Sequence, residues 1–166
     1  RSKINGNRIS MIFQEPMTAL NPLLTCGKQL VDVIGEHLGL DKAAAQKKAI
    51  ELFDKVELPL PQEIFKKYPH QISGGQRQRV MIAMAISCNP NLLIADEPTT
   101  ALDTKVQHGI MQLLKKLQQE NQMSILLITH DLGVVSGFAD KILVMKSGIT
   151  VEKGTVAEIF NNPQHE

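Results

Sequence analysis

The sequence has no tryptophan, a single tyrosine and five phenylalanines. So few rings argue against a stacking platform for single-stranded nucleic acid. A formal net charge of +1 removes the overall electrostatic case for a nucleic-acid partner. No apolar run approaches the ~18 residues that a membrane-spanning helix needs, and no signal-peptide pattern is present. The two cysteines, Cys26 and Cys88, form neither a disulfide framework nor a metal-ligand pair, which suits a reducing compartment. Repeats and low-complexity tracts are absent. What is there is ordinary for a globular chain: 166 residues, 43% hydrophobic and 21% charged, enough for one domain with a real core. The chain starts at Arg1 rather than Met and stops at Glu166, so it is expected to be a piece of a longer protein.

The organising stretch is Ile72-Ser73-Gly74-Gly75-Gln76-Arg77-Gln78-Arg79. Ser73 can cap a helix, and Gln76 completes an S-x-x-Q capping box. Val80 to Ile86 then has the composition of a buried helical segment. Gly74 and Gly75 leave room for a ligand to approach the first N–H groups of the helix, whose positive dipole end suits an anion. Arg77 and Arg79 add cationic charge nearby. Most S-x-x-Q strings are no more than well-capped helices. Ser-Gly-Gly-Gln followed by Arg-Gln-Arg, however, resembles the signature motif of ATP-binding-cassette (ABC) ATPases.

The remaining elements follow in order. Arg1 to Arg8 is polar and basic with a turn at Gly6, and Ile9 to Phe13 reads as a short strand that stops before Pro16. Met17 to Pro22 is expected as loop. Helices are expected over Leu24–Leu38, ending near Gly39, and over Lys42–Val56, capped by Asp41. A short helix falls within the proline-punctuated Leu58–Pro69. The signature helix runs to about Ser87. Leu92–Ala95 is an apolar run suited to a strand buried on both faces. A helix over Thr104–Glu120 turns Ile110, Leu113, Leu114 and Leu117 inward. Ser124–Thr129 is expected as a second buried strand, Asp131–Phe138 as a helical turn and Lys141–Met145 as a third apolar strand. Lys146-Ser147-Gly148 turns the chain into a hairpin partner, Ile149–Lys153. Val156–Phe160 closes as a short helix. Apolar strands alternating with helices give an α/β fold with a parallel sheet. The organisation reads as residues 1–22 (core strand), 23–88 (an all-helical insert ending in the signature helix) and 89–166 (α/β core).

Three strands end in polar groups: Gln14, the Asp96-Glu97 pair, and His130. Ligands of open α/β sheets sit outside the carboxyl ends of the strands, so these separated residues are expected to converge. Singly, Gln14 can begin a turn, Asp96 can cap a helix and His130 can be an ordinary loop histidine. Together they favour a site. An apolar strand ending in Asp is the Walker-B arrangement, whose carboxylate helps hold Mg²⁺. Glu97 would lie beside the attacking water as general base or orienting group. Two adjacent acids need not repel, because the cation neutralises one of them.

The resemblance to ABC ATPases therefore covers nearly the whole chain and implies a P-loop NTPase-like core. It implies that Gln14 is the Q-loop glutamine, contacting Mg²⁺ or the water and coupling to a transmembrane partner. Ser73, Gly74, Gly75 and Gln76 would contact the γ-phosphate of ATP held by the opposite subunit of a dimer. Asp96 would serve Mg²⁺, and Glu97 would be the catalytic carboxylate. Asp103, in Ala101-Leu102-Asp103, would lie at the dimer interface, and His130 would contact the γ-phosphate. Phe13–Pro22, Tyr68-Pro69-His70-Gln71, Ile94–Asp103 and Asn162-Pro163-Gln164-His165 resemble, more narrowly, the dipeptide/oligopeptide importer ATPases. Nickel and some glutathione importers share that pattern. The implied partners are transmembrane permease subunits and a second ATPase subunit, identical or not. The implied place is the cytoplasmic face of a bacterial inner membrane, with membrane contact through the permease only.

The sequence has no G-x-x-x-x-G-K-[ST] phosphate loop. Its only Gly-Lys pair, Gly27-Lys28, has Pro22 where the first Gly should stand and Gln29 after the Lys. In the family the loop lies upstream of the Gln14 strand. The chain is thus expected to lack the N-terminal strands and to bind ATP poorly. The phosphate-loop strand would lie between the strand ending at His130 and Lys141–Met145, so two sheet edges are expected to lose partners, inviting exchange or oligomerisation. A DNA-repair or chromosome-structuring ATPase shares the signature and Walker B. It would carry a long coiled coil before the signature, and no sustained heptads occur here. A third reading is a non-catalytic docking and dimerisation piece.

Overall fold

A computed structural model of the chain describes residues 4–165. Arg1, Ser2 and Lys3 of the expected basic opening, and Glu166, lie outside the described residues. The chain divides into two units, one running through Ile128 and one starting at Thr129.

In the larger unit the order is β1 (Ile9–Ile12), α1 (Pro16–Ala19), α2 (Cys26–Leu38), α3 (Lys42–Lys55), α4 (Pro61–Lys66), a 3₁₀ turn (Pro69–Gln71), α5 (Gly74–Ile86), β2 (Leu92–Asp96), α6 (Thr104–Asn121) and β3 (Ser124–Ile128). The strands form one parallel sheet in the order β1-β2-β3, with Ile12 opposite Ala95 and Asp96 opposite Ile128. Pleating sends alternate residues to opposite faces. Ser10, Ile12, Leu93 and Ala95 share the covered face and are buried. The core continues into α5 through Val80, Ile82 and Ile86. On α6 it takes in the four residues expected to turn inward, Ile110, Leu113, Leu114 and Leu117, all buried. The other face keeps Met11, Leu126 and Ile128 exposed, the last two at 51% and 45%. The expectation of a buried strand therefore fails for β3, whose residues alternate between exposed and half-buried.

The helical insert forms as its periodicity implies. Thr25 caps α2 by accepting from the Lys28 N–H, and Asp41 caps α3 by accepting from the Ala44 N–H. Gly39, at φ 64°, ends α2 in the left-handed conformation that a glycine tolerates without strain. Ala45, Ala49, Leu52 and Phe53 are the buried residues of α3. Phe53 meets Phe65 of α4 edge to face with ring centroids 6.5 Å apart. Burial pushes the Cys26 thiol up to about 11, so it behaves as a core residue rather than a nucleophile. One expectation is corrected before the insert begins. Met17–Pro22 is not all loop, because α1 starts at Pro16, whose fixed φ suits a first helical position.

The smaller unit contains α7 (Leu132–Phe138), β4 (Lys141–Lys146), β5 (Ile149–Thr155) and α8 (Val156–Asn161). β4 and β5 form the expected hairpin. Ser147 at φ 51° and Gly148 at φ 78° make its two-residue turn, whose twist matches that of the strands. β4 does not join the parallel sheet. Its described partner is β5, just as that of β3 is β2. Among the described residues no strand lies beside the other edge of either.

A polar cluster ties the end of α3 to α5 and, through Glu57, to α6. Arg79 Nη1 donates to Val56 O at 2.7 Å and to Glu57 Oε2 at 3.2 Å, and Lys116 Nζ donates to Glu57 Oε1 at 3.1 Å. The Lys116 ammonium, and then Arg79, hold the Glu57 carboxyl below the usual carboxylate range. With its folded value below the unfolded one, Glu57 stabilises above the unfolded carboxylate range and loses that contribution as pH falls through the folded value. Its side chain is 49% exposed, so solvent screening limits the contribution to at most about 1 kcal/mol. Glu57→Gln is expected to lower the urea midpoint at neutral pH and to match the wild type in acid. A pH-independent difference would refute the charge assignment.

Candidate functional site

Parallel pairing puts the carboxyl ends of β1 and β2 on one rim, and there two expected site residues meet. Gln14 Nε2 donates to Glu97 Oε2 at 2.9 Å across 83 residues of sequence. Glu97 adopts φ 43°, a left-handed conformation costing a non-glycine residue of order 1–3 kcal/mol. Several bonds hold it there. Its N–H donates to Ile128 O at 2.9 Å, carrying the β2–β3 ladder one step past the strand. Its carbonyl accepts from the Thr100 N–H at 3.2 Å, closing a turn with Pro98 in second place. The Thr100 hydroxyl donates to the same Glu97 Oε2 at 2.7 Å. The Thr99 hydroxyl accepts from Gln107 Nε2 of α6 at 3.2 Å, anchoring the loop from the other side.

Asp96 ends β2 half-buried, next to Glu97 in the chain. Among the described residues no group of three His, Cys, Asp or Glu side chains is arranged to hold a metal by itself. The rim instead offers one carboxylate, Asp96, and one amide oxygen, Gln14 Oε1, the nitrogen of that amide being committed to Glu97. Such hard oxygens suit Mg²⁺, which takes one or two protein ligands and fills its shell with water and phosphate oxygens. His130 follows β3 by two residues, exposed at the start of the smaller unit.

The second cluster is the start of α5. The Ser73 hydroxyl accepts from the Gln76 N–H at 3.2 Å, and Gln76 Oε1 accepts from the Ser73 N–H at 2.9 Å, forming the expected capping box. The Gln76 side chain is thereby committed to the cap. Gly75 serves a purpose beyond ligand access: a Cβ there would come within 2.7 Å of Val106 Cγ1, and one on Gly74 within 3.4 Å of Leu102 Cδ2. The glycines let the start of α5 press against the start of α6, where the Asp103 carboxylate accepts from the Val106 N–H at 3.0 Å. Ser73 and Asp103 thus cap two helices whose first turns touch. The arginines depart from expectation in one respect. Arg77 Nη1 donates to Ile72 O at 2.7 Å and Pro69 O at 3.2 Å, while Arg79 reaches Val56 and Glu57. Both guanidinium groups brace neighbouring loops.

Gly27-Lys28 sits in the first turn of α2. A Cβ on Gly27 would lie 2.3 Å from the Phe65 ring, and Lys28 pairs with Asp32. It is a helix-packing glycine, as the motif mismatch implies. Sequence reasoning missed Thr100 and Val106. The signal for Thr100 was available: a hydroxyl three residues after a carboxylate, with proline between them to make the turn.

The profile of the ABC transporter family matches residues 1–100. The chain belongs to that family. It is 55% identical over 163 residues to the oligopeptide transport ATP-binding protein AppD of Bacillus subtilis, covering 98% of this chain and 50% of that protein. It is 53% identical over 162 residues to the glutathione import ATP-binding protein GsiA of Escherichia coli, covering 98% of this chain and 26% of that one. The chain thus spans half or less of the length of these relatives. A solved dimeric ATP-binding cassette, in a post-hydrolysis state bound to ADP and phosphate, superposes with a TM-score of 0.79 at 34% identity, covering 91% of this chain and 64% of that one. The α/β ABC fold with a parallel sheet is therefore the fold of this chain.

The α5–α6 contact yields a double-mutant test. Gly75→Ala gains helix propensity but drives a methyl group into a stiff β-branched neighbour, with an expected net cost of roughly 1–3 kcal/mol. Val106→Ala in the same chain is expected to recover most of that cost in chemical denaturation. No recovery would mean that the two helix starts do not touch there.

Proposed function

We propose that this chain is the larger part of the ATP-hydrolysing core of a bacterial importer's ATPase subunit, coupling ATP hydrolysis to uptake of di- or oligopeptides. The observation that carries the reading is the Gln14–Glu97 hydrogen bond of 2.9 Å on the carboxyl rim of the parallel sheet, beside Asp96. That rim is where α/β sheets bind ligands, and a carboxylate next to a hard-oxygen pair suits phosphate chemistry.

In this reading the Asp96 carboxylate and Gln14 Oε1 hold Mg²⁺, which when bound neutralises charge on phosphate oxygens. Glu97 takes the proton of the attacking water. His130 hydrogen-bonds the γ-phosphate oxygens. Ser73, Gly74, Gly75 and Gln76 face the nucleotide of a second ATPase subunit, the dipole and unspent N–H groups at the start of α5 favouring its charge. Asp103 lies at the same subunit interface. The contact between α5 and α6 supports this pairing of roles, because it makes their caps move together. Residues 23–88 act as the helical subdomain that transmits closure to the transmembrane permease. The subunit works on the cytoplasmic face of the membrane, held there by the permease. The relatives' names, oligopeptide transport and glutathione import, support a peptide-like solute.

The test is Glu97→Gln in the full-length parent. ATP turnover is expected to fall by about a hundredfold or more while ATP binding is kept, since removing a general base costs roughly that much. Wild-type turnover would strip Glu97 of this role. The 166-residue chain, whose sequence has no phosphate loop, is expected to give no saturable heat in calorimetric titration with Mg-ATP at concentrations that saturate the parent.

A further inference from the structure

We propose that Thr100 is a positioning residue for Glu97, its hydroxyl fixing one carboxylate oxygen so that the other is aimed at the reacting water. The proposal rests on the reading of Glu97 as the base.

Two donors converge on one atom. The Thr100 hydroxyl at 2.7 Å and the Gln14 amide at 2.9 Å both bind Glu97 Oε2. A glutamate has three rotatable side-chain bonds, and fixing one oxygen twice removes most of that freedom and sets the direction of Oε1. The two donors differ in kind. Gln14 arrives from another strand, and its bond is exposed, so it can be exchanged when the amide engages a ligand. Thr100 is local. The turn from Glu97 to Thr100, closed by the 3.2 Å backbone bond, places its hydroxyl, and its β-branched side chain is stiff at χ1. Thr99 and Thr100 divide the work: the first ties the loop to Gln107 of α6, the second holds the carboxylate.

The chemistry follows. Orientation of a reacting group is worth rate only if it is held before the reaction, and a local hydroxyl does this without using nucleotide binding energy. Loss of the hydroxyl is therefore expected to slow the chemical step without weakening nucleotide binding.

The experiment compares Thr100→Val, Thr100→Ser and Glu97→Gln in the full-length parent assembled in its transporter, reading kcat per folded transporter and KM for ATP. Thr100→Val keeps the shape and removes the hydroxyl. Its kcat is expected to fall about tenfold with KM within about twofold of wild type, the pattern of a lost transition-state interaction. Thr100→Ser, which keeps the hydroxyl, restores kcat. With kcat referred to folded transporter, the serine rescue and the unchanged KM decide the matter even where Thr100→Val is less stable. Wild-type kcat in Thr100→Val, a serine variant as slow as the valine one, or a change in KM alone overturns the proposal. Full turnover in Glu97→Gln overturns the underlying base assignment instead, whatever Thr100 does.

Discussion

Parallel hydrogen bonding between β1, β2 and β3 is the constraint from which the rest follows. Parallel strands all point their carboxyl ends the same way, so whatever follows each strand emerges on one rim. With Ile12 level with Ala95, and Asp96 level with Ile128, the register leaves little slack. A slip of one residue would exchange Leu93 and Ala95 for Ile94 and Asp96 on the covered face. That would bury a carboxylate and expose the core. The pairing that hides the apolar face is the same pairing that delivers Glu97 to Gln14.

Around that rim the chain places strain where bonds can hold it. Glu97 and Ala101 both adopt positive φ without being glycine, on either side of a loop fastened to β3 through Ile128 and to α6 through Gln107. Strained backbone persists only where its surroundings over-determine it. The true glycines serve a different need: Gly75 lets two helix starts come into contact, a matter of volume rather than dihedral angle. The caps on those helices, Ser73 and Asp103, satisfy backbone N–H groups and hold side chains assigned to the nucleotide in the proposed reading. In that reading stability and chemistry draw on the same atoms, which ties any change at these positions to both.

Local signals were legible in the residues. The S-x-x-Q capping box at Ser73, the caps at Asp41 and Asp103, the buried stripe of α6 and the Ser147-Gly148 hairpin turn all depend on atoms within a few residues of one another. The convergence of Gln14 and Glu97 was legible too, because strand ends in a parallel sheet have few places to go. The burial of β3 was not. Apolar composition shows what a strand prefers, while burial depends on which neighbours cover it, and Leu126 and Ile128 are left 51% and 45% exposed. The destinations of Arg77 and Arg79 were equally hidden, since a long side chain reaches carbonyls that only tertiary packing brings near.

The sequence by itself determined the longer helices and their caps, the apolar strands and the family, because these are written in short-range periodicity and in motifs with fixed spacing. Tertiary structure alone decided that Thr100 shares an oxygen of Glu97 with Gln14, that Val106 occupies the space beside Gly75, and that Arg79 ends on Val56 and Glu57. Each of those outcomes is a contest for space or for hydrogen-bond partners, and only a folded chain presents the competitors together.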